Sequence, residues 1–389
     1  MAGTTTAAAY SALDALVSMT ATNDLEVSRG RLARVDADRV PSLIRTARAH
    51  GMEAWLAAVA PSATGPWADL AIQRARFLAA GSRTRATVRA ISSQLAEQGH
   101  AWALLKGLSI AESSYPRSDL RHSLDIDVLV DRTAFKAVLD LLVTKGYLLL
   151  DVNWPLIAEL EPGQLRLRAP NGTLIDLHWS LFNQRPLRRY FRLPAEVLLS
   201  RTRTLGDDLI PVLDPVDLTT HIGVHAALGG AAKLSWLVDI DGFVRQHKLD
   251  WQQLIDVAVA SGAAPALAIS FSRAQMVLDT PIPENVMRKL AGGRFRLATT
   301  RAVLQRSRIP EDPEQPSFAR AYARSARNSM PASALELVRH GSGWLGSKLA
   351  RSNDHQSWLD PTNHTSALFP VPDEDARHAY FTAIVRDHG

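Results

Sequence analysis

The sequence predicts an α+β fold: a small mixed β-sheet flanked by helical N- and C-terminal regions. Three observations predict it. Apolar residues recur at three-to-four spacing before residue 98 and again after 214. Between these stretches lie short apolar runs bounded by turn residues, the mark of strands. Two of the runs are joined by Pro170-Asn171-Gly172, and Asn-Gly between strand-like runs is a strong hairpin signal. At about 150 residues per domain, 389 residues suit two or three domains. The divisions are a helical region at 1–98, a sheet-bearing core at 99–213, a second helical region at 214–345 and an extended tail at 346–389.

In the first region Leu70, Ile72, Phe77, Val88, Ile91 and Leu95 keep helical spacing, with breaks at Asn23-Asp24, Pro41 and the 61–66 loop. It carries no chemical motif and reads as packing. The core opens with the apolar run Ala101 to Leu105, then Lys106-Gly107 and a helix through Glu112. After the Tyr115-Pro116 turn, Leu124 to Val130 reads as a strand. Asp131 caps a helix from about Thr133 to Lys145, which Gly146 stops. Tyr147 to Val152 follows as a strand, then the hairpin of Gln164–Ala169 and Thr173–Trp179. Asp214-Pro215 starts the second helical region, Gly229-Gly230 interrupts it, and Leu234 to Val244 resumes it. The last 35 or so residues are punctuated by proline and read as a loosely packed tail.

Composition removes several function classes. Hydrophobic residues at 46% and charged residues at 21% are the mix of a folded globular chain. With 44 Lys+Arg against 39 Asp+Glu, the formal charge of +5 is too small for wholesale nucleic-acid binding. The absence of cysteine excludes disulfides, thiolate metal sites and a cysteine nucleophile. No apolar run reaches the ~18 residues of a spanning helix, and the best candidate, 255–271, carries Asp256, Gly262 and Pro265. The N-terminus lacks the basic start and apolar core of a secretory signal. The expectation is a cytoplasmic protein without a membrane partner.

Asp125 and Asp127 are the sharpest chemical feature. Two apart in a strand, their carboxylates project from one face. Flanking Leu124, Ile126, Val128, Leu129 and Val130 imply burial, so the charges repel and lose hydration unless a cation compensates. Oxygen ligands without cysteine favour Mg²⁺ or Mn²⁺. The plainer alternative places both on a solvated edge or at a helix cap. Asp176 adds a third acid inside an apolar run and shares a face with His178. Three carboxylates on adjacent strands suit phosphoryl transfer by two ions about 4 Å apart. Lys106-Gly107 before a helix adds a turn that lets phosphate approach backbone donors.

The stretch Leu104-Leu105-Lys106-Gly107, then Tyr115, Arg121 and Leu124-Asp125-Ile126-Asp127-Val128-Leu129-Val130, resembles the uncharacterised nucleotidyltransferase family, a branch of the DNA polymerase β-like superfamily. Ile175-Asp176-Leu177-His178-Trp179 resembles its third-acid strand. Arg121-His122-Ser123-Leu124-Asp125-Ile126-Asp127 is also similar to the motif of the abortive-infection toxin nucleotidyltransferases. The resemblance covers about residues 70–260 and departs from the wider superfamily, which has Gly-Ser where this chain has Lys106-Gly107. It implies that Asp125 and Asp127 hold Mg²⁺ or Mn²⁺, with Asp176 completing the metal site or acting as base. It implies that Lys106, Gly107, Arg121 and Ser123 face the triphosphate. Arg121 could instead pair with Asp125 or Asp127.

The family carries a segment similar to Lys233-Leu234-Ser235-Trp236-Leu237-Val238-Asp239. On a helix over the nucleotide, Lys233 would bind phosphate, Trp236 would stack on a base, and Asp239 would orient Lys233 or the acceptor. The alternative has Trp236 in the core and Lys233 and Asp239 as a surface pair. His221 and His225 share a helix face and read as packed histidines rather than a metal pair, and Trp251 reads as a helix-start anchor. Residues 292–351 hold 11 Lys/Arg against 4 Asp/Glu, read as a solvated arginine face more than as a contact for an anionic acceptor. The expected activity is transfer of a nucleoside monophosphate from an NTP, ATP foremost, to a hydroxyl-type acceptor with release of pyrophosphate. The acceptor would be a small molecule, a peptide or RNA. The alternatives are phosphate or oligophosphate transfer from the same site, or a catalytically silent nucleotide-binding scaffold.

Overall fold

The computed structural model describes residues 11–20, 24–60 and 64–307, most of 309–327, residues 332, 333 and 336, and 362–386 without 364. The N-terminal helices are α1 (Ala12–Thr20), α2 (Leu25–Leu32), α3 (Val40–Ala49), α4 (Glu53–Val59) and the 30-residue α5 (Ala68–Glu97). The sheet region follows as β1 (Trp102–Leu104), α6 (Leu108–Ser114), β2 (Asp125–Val130), α7 (Phe135–Thr144), β3 (Leu148–Leu149), α8 (Trp154–Leu160), β4 (Gln164–Arg168), β5 (Leu174–His178), α9 (Arg185–Tyr190), α10 (Ala195–Leu199), β6 (Arg203–Leu205) and β7 (Ile210–Val212). Helices α11 (Pro215–Leu228), α12 (Leu234–Gln246), α13 (Trp251–Ala260), α14 (Ala264–Leu278), α15 (Glu284–Ala291), α16 (Arg294–Arg306) and α17 (Phe318–Ser325) come next, and α18 (Glu374–Arg386) closes the described chain.

The seven strands form one mixed sheet in the order β3-β4-β5-β2-β1-β7-β6. β2 pairs parallel with β5, which sets Asp127 opposite Asp176, and antiparallel with β1. The Asn-Gly hairpin forms between β4 and β5: Asn171 Oδ1 accepts from the Thr173 amide, and Gly172 adopts φ +87°. The β6–β7 hairpin carries no signal in the sequence. Its strands have three residues each, too short for alternation to register.

Alternation along the strands gives the sheet two unlike faces. Ile126, Val128, Val130, Ile175 and Leu177 point to the back, where they pack with Val88, Ile91 and Leu95 of α5 and Phe135, Val138, Leu139 and Leu142 of α7. The front face carries Asp125, Asp127, Asp176 and His178, while Ala103, Leu105 and Leu129 beside them join a second core. That core includes Leu43 and Trp55 of the N-terminal helices, Ile222 of α11, Phe243 of α12 and Phe271 of α14. The acids therefore lie where the sheet meets the C-terminal helices.

The expected tail is a helix at its end. Tyr380, Phe381 and Ile384 of α18 are buried in the back-face core, because an apolar stripe outweighs the preceding prolines. Residues 346–361 of that tail lie outside the described residues. In the basic stretch Arg294 and Arg306 are exposed, as expected of a solvated face, whereas Arg320, Arg324 and Arg327 are tied to the neighbouring helices. Arg320 Nε and Arg324 Nε donate to the carbonyls of Gly229 and Leu228 at the C-terminus of α11, and the Arg327 guanidinium lies 4.2 Å from the Tyr190 ring centre. Cations at a helix C-terminus satisfy orphan carbonyls and oppose the dipole. No helix among the described residues is long and apolar enough to cross a membrane.

Candidate active site

Asp127 is the centre of the front face, with 1% of its surface exposed. Its Oδ1 accepts from Lys106 Nζ at 2.7 Å and lies 3.1 Å from His178 Nε2. Its Oδ2 is buried without a partner. Burial alone would raise this carboxyl, but Lys106 and His178 hold it well below the usual carboxylate range. The same pairing lifts Lys106 above its ordinary value although burial opposes it.

Asp176, directly opposite, accepts from Gln164 Nε2 at 2.5 Å. Burial first, and then the charges of Asp127 and Asp125, push its carboxyl up to about 6 despite nearby His178. Asp125 is raised by burial and by Asp127. Asp127, Asp176 and His178 each offer a ligand atom, and these atoms lie within 4.8 Å of one another. A buried orphan oxygen among two carboxylates and an imidazole fits a divalent cation. Asp125 is the outermost of the three acids, half-buried at the start of β2.

A cleft of about 280 Å³ adjoins Asp125, lined among others by Lys106, Ser123, His225, Lys233 and Trp236. Gly107 sits at φ +71° with Ser123 against it; a Cβ there would lie 2.9 Å from the serine hydroxyl. Lys233 has no ion-pair partner among the described residues, and its Nζ lies 5.7 Å from the Trp236 ring centre. His50 positions that segment from α3: its Nδ1 accepts from the Leu234 amide, and its Nε2 donates to the Pro310 carbonyl, both at 3.1 Å.

Arg121 also lines this cleft but pairs with none of the three acids. Its Nε and Nη2 donate to both oxygens of Asp239 at 2.7 and 2.9 Å, and Nη1 donates to the Gly107 carbonyl at 3.2 Å. Tyr115 Oη donates to the same Asp239 at 2.7 Å. Neither the Arg121–Asp125 nor the Arg121–Asp127 pair weighed from the sequence is present, and Asp239 is engaged with Arg121 rather than with Lys233. All ten residues singled out in the sequence gather at the acids and cleft, with Arg121 and Asp239 lining the cleft as a mutual ion pair.

The sequence pattern assigns His178 no role of its own, although strand alternation puts it on the face of Asp176. Gln164 and His50 carried no local signal. His221 is buried on α11 with both ring nitrogens unpartnered, beside His225, whose ring edge meets Trp236 at 5.1 Å between centres.

Comparison of the sequence with curated proteins finds no match. The family model for uncharacterised nucleotidyltransferases matches residues 36–279, from within the α2–α3 connection to the end of α14. That span holds all seven strands, the three acids and the cleft, and the chain belongs to the uncharacterised nucleotidyltransferase family.

Proposed function

We propose that the protein transfers a nucleoside monophosphate from an NTP, with ATP the first candidate, to a hydroxyl of an acceptor, releasing pyrophosphate. The observation that carries this reading is Asp127 and Asp176 facing each other across parallel strands beside a cleft lined by Lys233, a lysine with no ion-pair partner among the described residues. Asp125, Asp127 and Asp176 would hold Mg²⁺ or Mn²⁺. A bound divalent ion there supplies neutralisation of the charge that develops on the transferred phosphate and the leaving pyrophosphate.

The chain's own side chains would do the rest. Lys233 is a cleft cation with no carboxylate to hold it among the described residues, so it is the natural partner for triphosphate oxygens. Ser123 and the Gly107 turn offer small polar groups that a phosphate can approach closely. Trp236 presents a half-buried ring beside Lys233 for a base to stack on. Asp176 would complete the ion's ligand set or, left free of the ion with its carboxyl raised by burial to about 6, take the acceptor hydroxyl's proton. The acceptor would be a small molecule, a peptide or RNA.

The test is a binding titration of each of the four NTPs with and without Mg²⁺, on the wild type and the Asp125→Asn/Asp127→Asn variant. Metal-dependent binding of one NTP that the variant loses is the expected outcome, and mass spectrometry of products then distinguishes nucleotide from bare phosphate addition. A wild type that binds no NTP with metal present overturns the reading, and one that binds NTP but yields no transfer product favours the silent nucleotide-binding scaffold.

A further inference from the structure

Resting on the nucleotidyl-transfer reading, we propose that His178 is a nitrogen ligand of the catalytic cation, which makes this a mixed carboxylate–imidazole site selective for Mn²⁺ over Mg²⁺. The three carboxylates alone describe an all-oxygen site, and the geometry around Asp127 departs from that.

The first observation is the orientation of the ring. His178 Nδ1 lies 3.2 Å from the Ser180 carbonyl oxygen, which can only accept, so Nδ1 carries the hydrogen and donates it. Nε2 is the nitrogen aimed at the acids, 3.1 Å from Asp127 Oδ1, an oxygen that also only accepts; without a cation Nε2 donates a hydrogen there, and an ion bound between them would take that proton's place. A backbone carbonyl that fixes the far nitrogen while the near one faces carboxylates is the arrangement found around metal-ligating histidines.

The second observation is independent of the ring. Asp127 is 1% exposed, yet its Oδ2 has no hydrogen-bond partner among the described residues. A buried carboxylate oxygen without a donor is costly unless something positive completes it. Asp176 Oδ2 is oriented by Gln164 Nε2 at 2.5 Å, so this ligand too has its supporting hydrogen bond.

The register explains why the three converge. Asp127 and Asp176 are cross-strand partners, and His178 is two residues further along β5 on the same face, reaching diagonally back. The strand therefore presents oxygen and nitrogen donors at adjacent positions of one row. His178 itself is 4% exposed and held by β5 between β2 and β4. Mg²⁺ prefers oxygen ligands and retains its waters, whereas first-row divalent ions accept imidazole readily.

The experiment uses the whole chain without nucleotide, since a purine nitrogen would confuse the signal. Mn²⁺ is titrated and followed by electron paramagnetic resonance, with Mg²⁺ as competitor, and the bound ion is examined for ¹⁴N coupling by electron spin-echo modulation. The expected result is imidazole ¹⁴N coupling in the wild type that His178→Gln abolishes, with the Mn²⁺ over Mg²⁺ preference falling by about tenfold in that variant. The wild-type coupling needs no substitution, so a variant that fails to fold does not remove the test. Bound Mn²⁺ with no ¹⁴N coupling, coupling that persists in a folded His178→Gln, or an unchanged Mn²⁺ over Mg²⁺ preference there overturns the proposal and leaves the acid site standing. Absence of any Mn²⁺ binding that depends on Asp127, scored with Asp127→Asn, overturns both this proposal and the metal reading beneath it.

Discussion

Lys106 and Asp127 neutralise each other across 2.7 Å in a buried setting, which gives the lysine two competing duties. It compensates the central acid, and it lines the cleft where the triphosphate would lie. Replacing it by Met removes a positive charge that opposes cation binding and also one that favours NTP binding. Lys106→Met should therefore tighten Mn²⁺ binding by about threefold to tenfold while weakening NTP binding by about tenfold, roughly 1.4 kcal/mol. Calorimetric titration of both ligands checks the opposed signs; loss of both affinities would show that Lys106 serves only to order Asp127. His221 offers a second test at this scale. Burial, then the charge of Lys106, holds its imidazole well below the ordinary histidine range. The folded chain thus stays unprotonated there while the unfolded chain takes up a proton below about pH 6.5. The unfolded state binds more protons, so stability falls as pH drops from about 6.5. His221→Leu, which removes two unsatisfied buried nitrogens, should flatten that slope and leave stability at pH 7 within about 1 kcal/mol of the wild type. Urea midpoints measured between pH 7 and pH 5 decide it.

Helix α12 does its work through what it is fastened to. Asp239 on its first turns takes Arg121 by both oxygens and Tyr115 by one, and Arg121 reaches on to the Gly107 carbonyl. The helix that carries Trp236 is thereby locked to the turn that carries Lys106. Arg121 and Asp239 expose only 14% and 4% of their side chains, so breaking the pair leaves a charge buried without its partner. Asp239→Asn should lose about 3–5 kcal/mol of stability, read from urea unfolding. Gly242, one turn further, lets α12 approach α6: a Cβ there would lie 2.7 Å from the Ser114 carbonyl. Gly242→Ala should destabilise by about 1–3 kcal/mol through overpacking, and it should weaken NTP binding as Trp236 shifts with its helix; unchanged affinity would detach α12 from the nucleotide. These ties also mark where sequence reading stops. Asp125, Asp127 and Asp176 could be read because a strand's period of two and its apolar neighbours are local properties. Arg121 and Asp239 are 118 residues apart, and no local pattern distinguishes a guanidinium bound for phosphate from one bound for a distant carboxylate.

Across the whole molecule, the sheet is a wall with chemistry on one side and hydrocarbon on the other, and the hydrocarbon side is completed from the far end of the chain. The helix–strand–hairpin order of the core was readable from periodicity and turn residues. The closing role of α18 was not, because its partners on α7 and α8 lie more than 200 residues away and its own stripe is short. Tyr380 is fully buried between Phe135 and Trp154, with ring centres 6.5 and 6.4 Å away, although it lies beyond the 36–279 segment that defines the family. Its hydroxyl donates to the Pro162 carbonyl at 2.9 Å, the same oxygen that accepts from Trp179 Nε1. Trp179 immediately follows His178, so α18 steadies from behind the strand that aims the imidazole at Asp127. Packing and hydrogen bonding can be separated here. Tyr380→Phe keeps the ring and loses one of the two donors to Pro162, so it should reduce stability by about 1 kcal/mol. Tyr380→Ala removes the ring from a closed core and should reduce it by about 3–5 kcal/mol. If α18 acts on the site only by holding β5 in place, Mn²⁺ affinity should follow the same order at a temperature where both variants remain folded, with Phe near wild type and Ala weakened. Equal affinities in the two variants, despite unequal thermal midpoints, would mean that the front face keeps its geometry whatever is packed behind it.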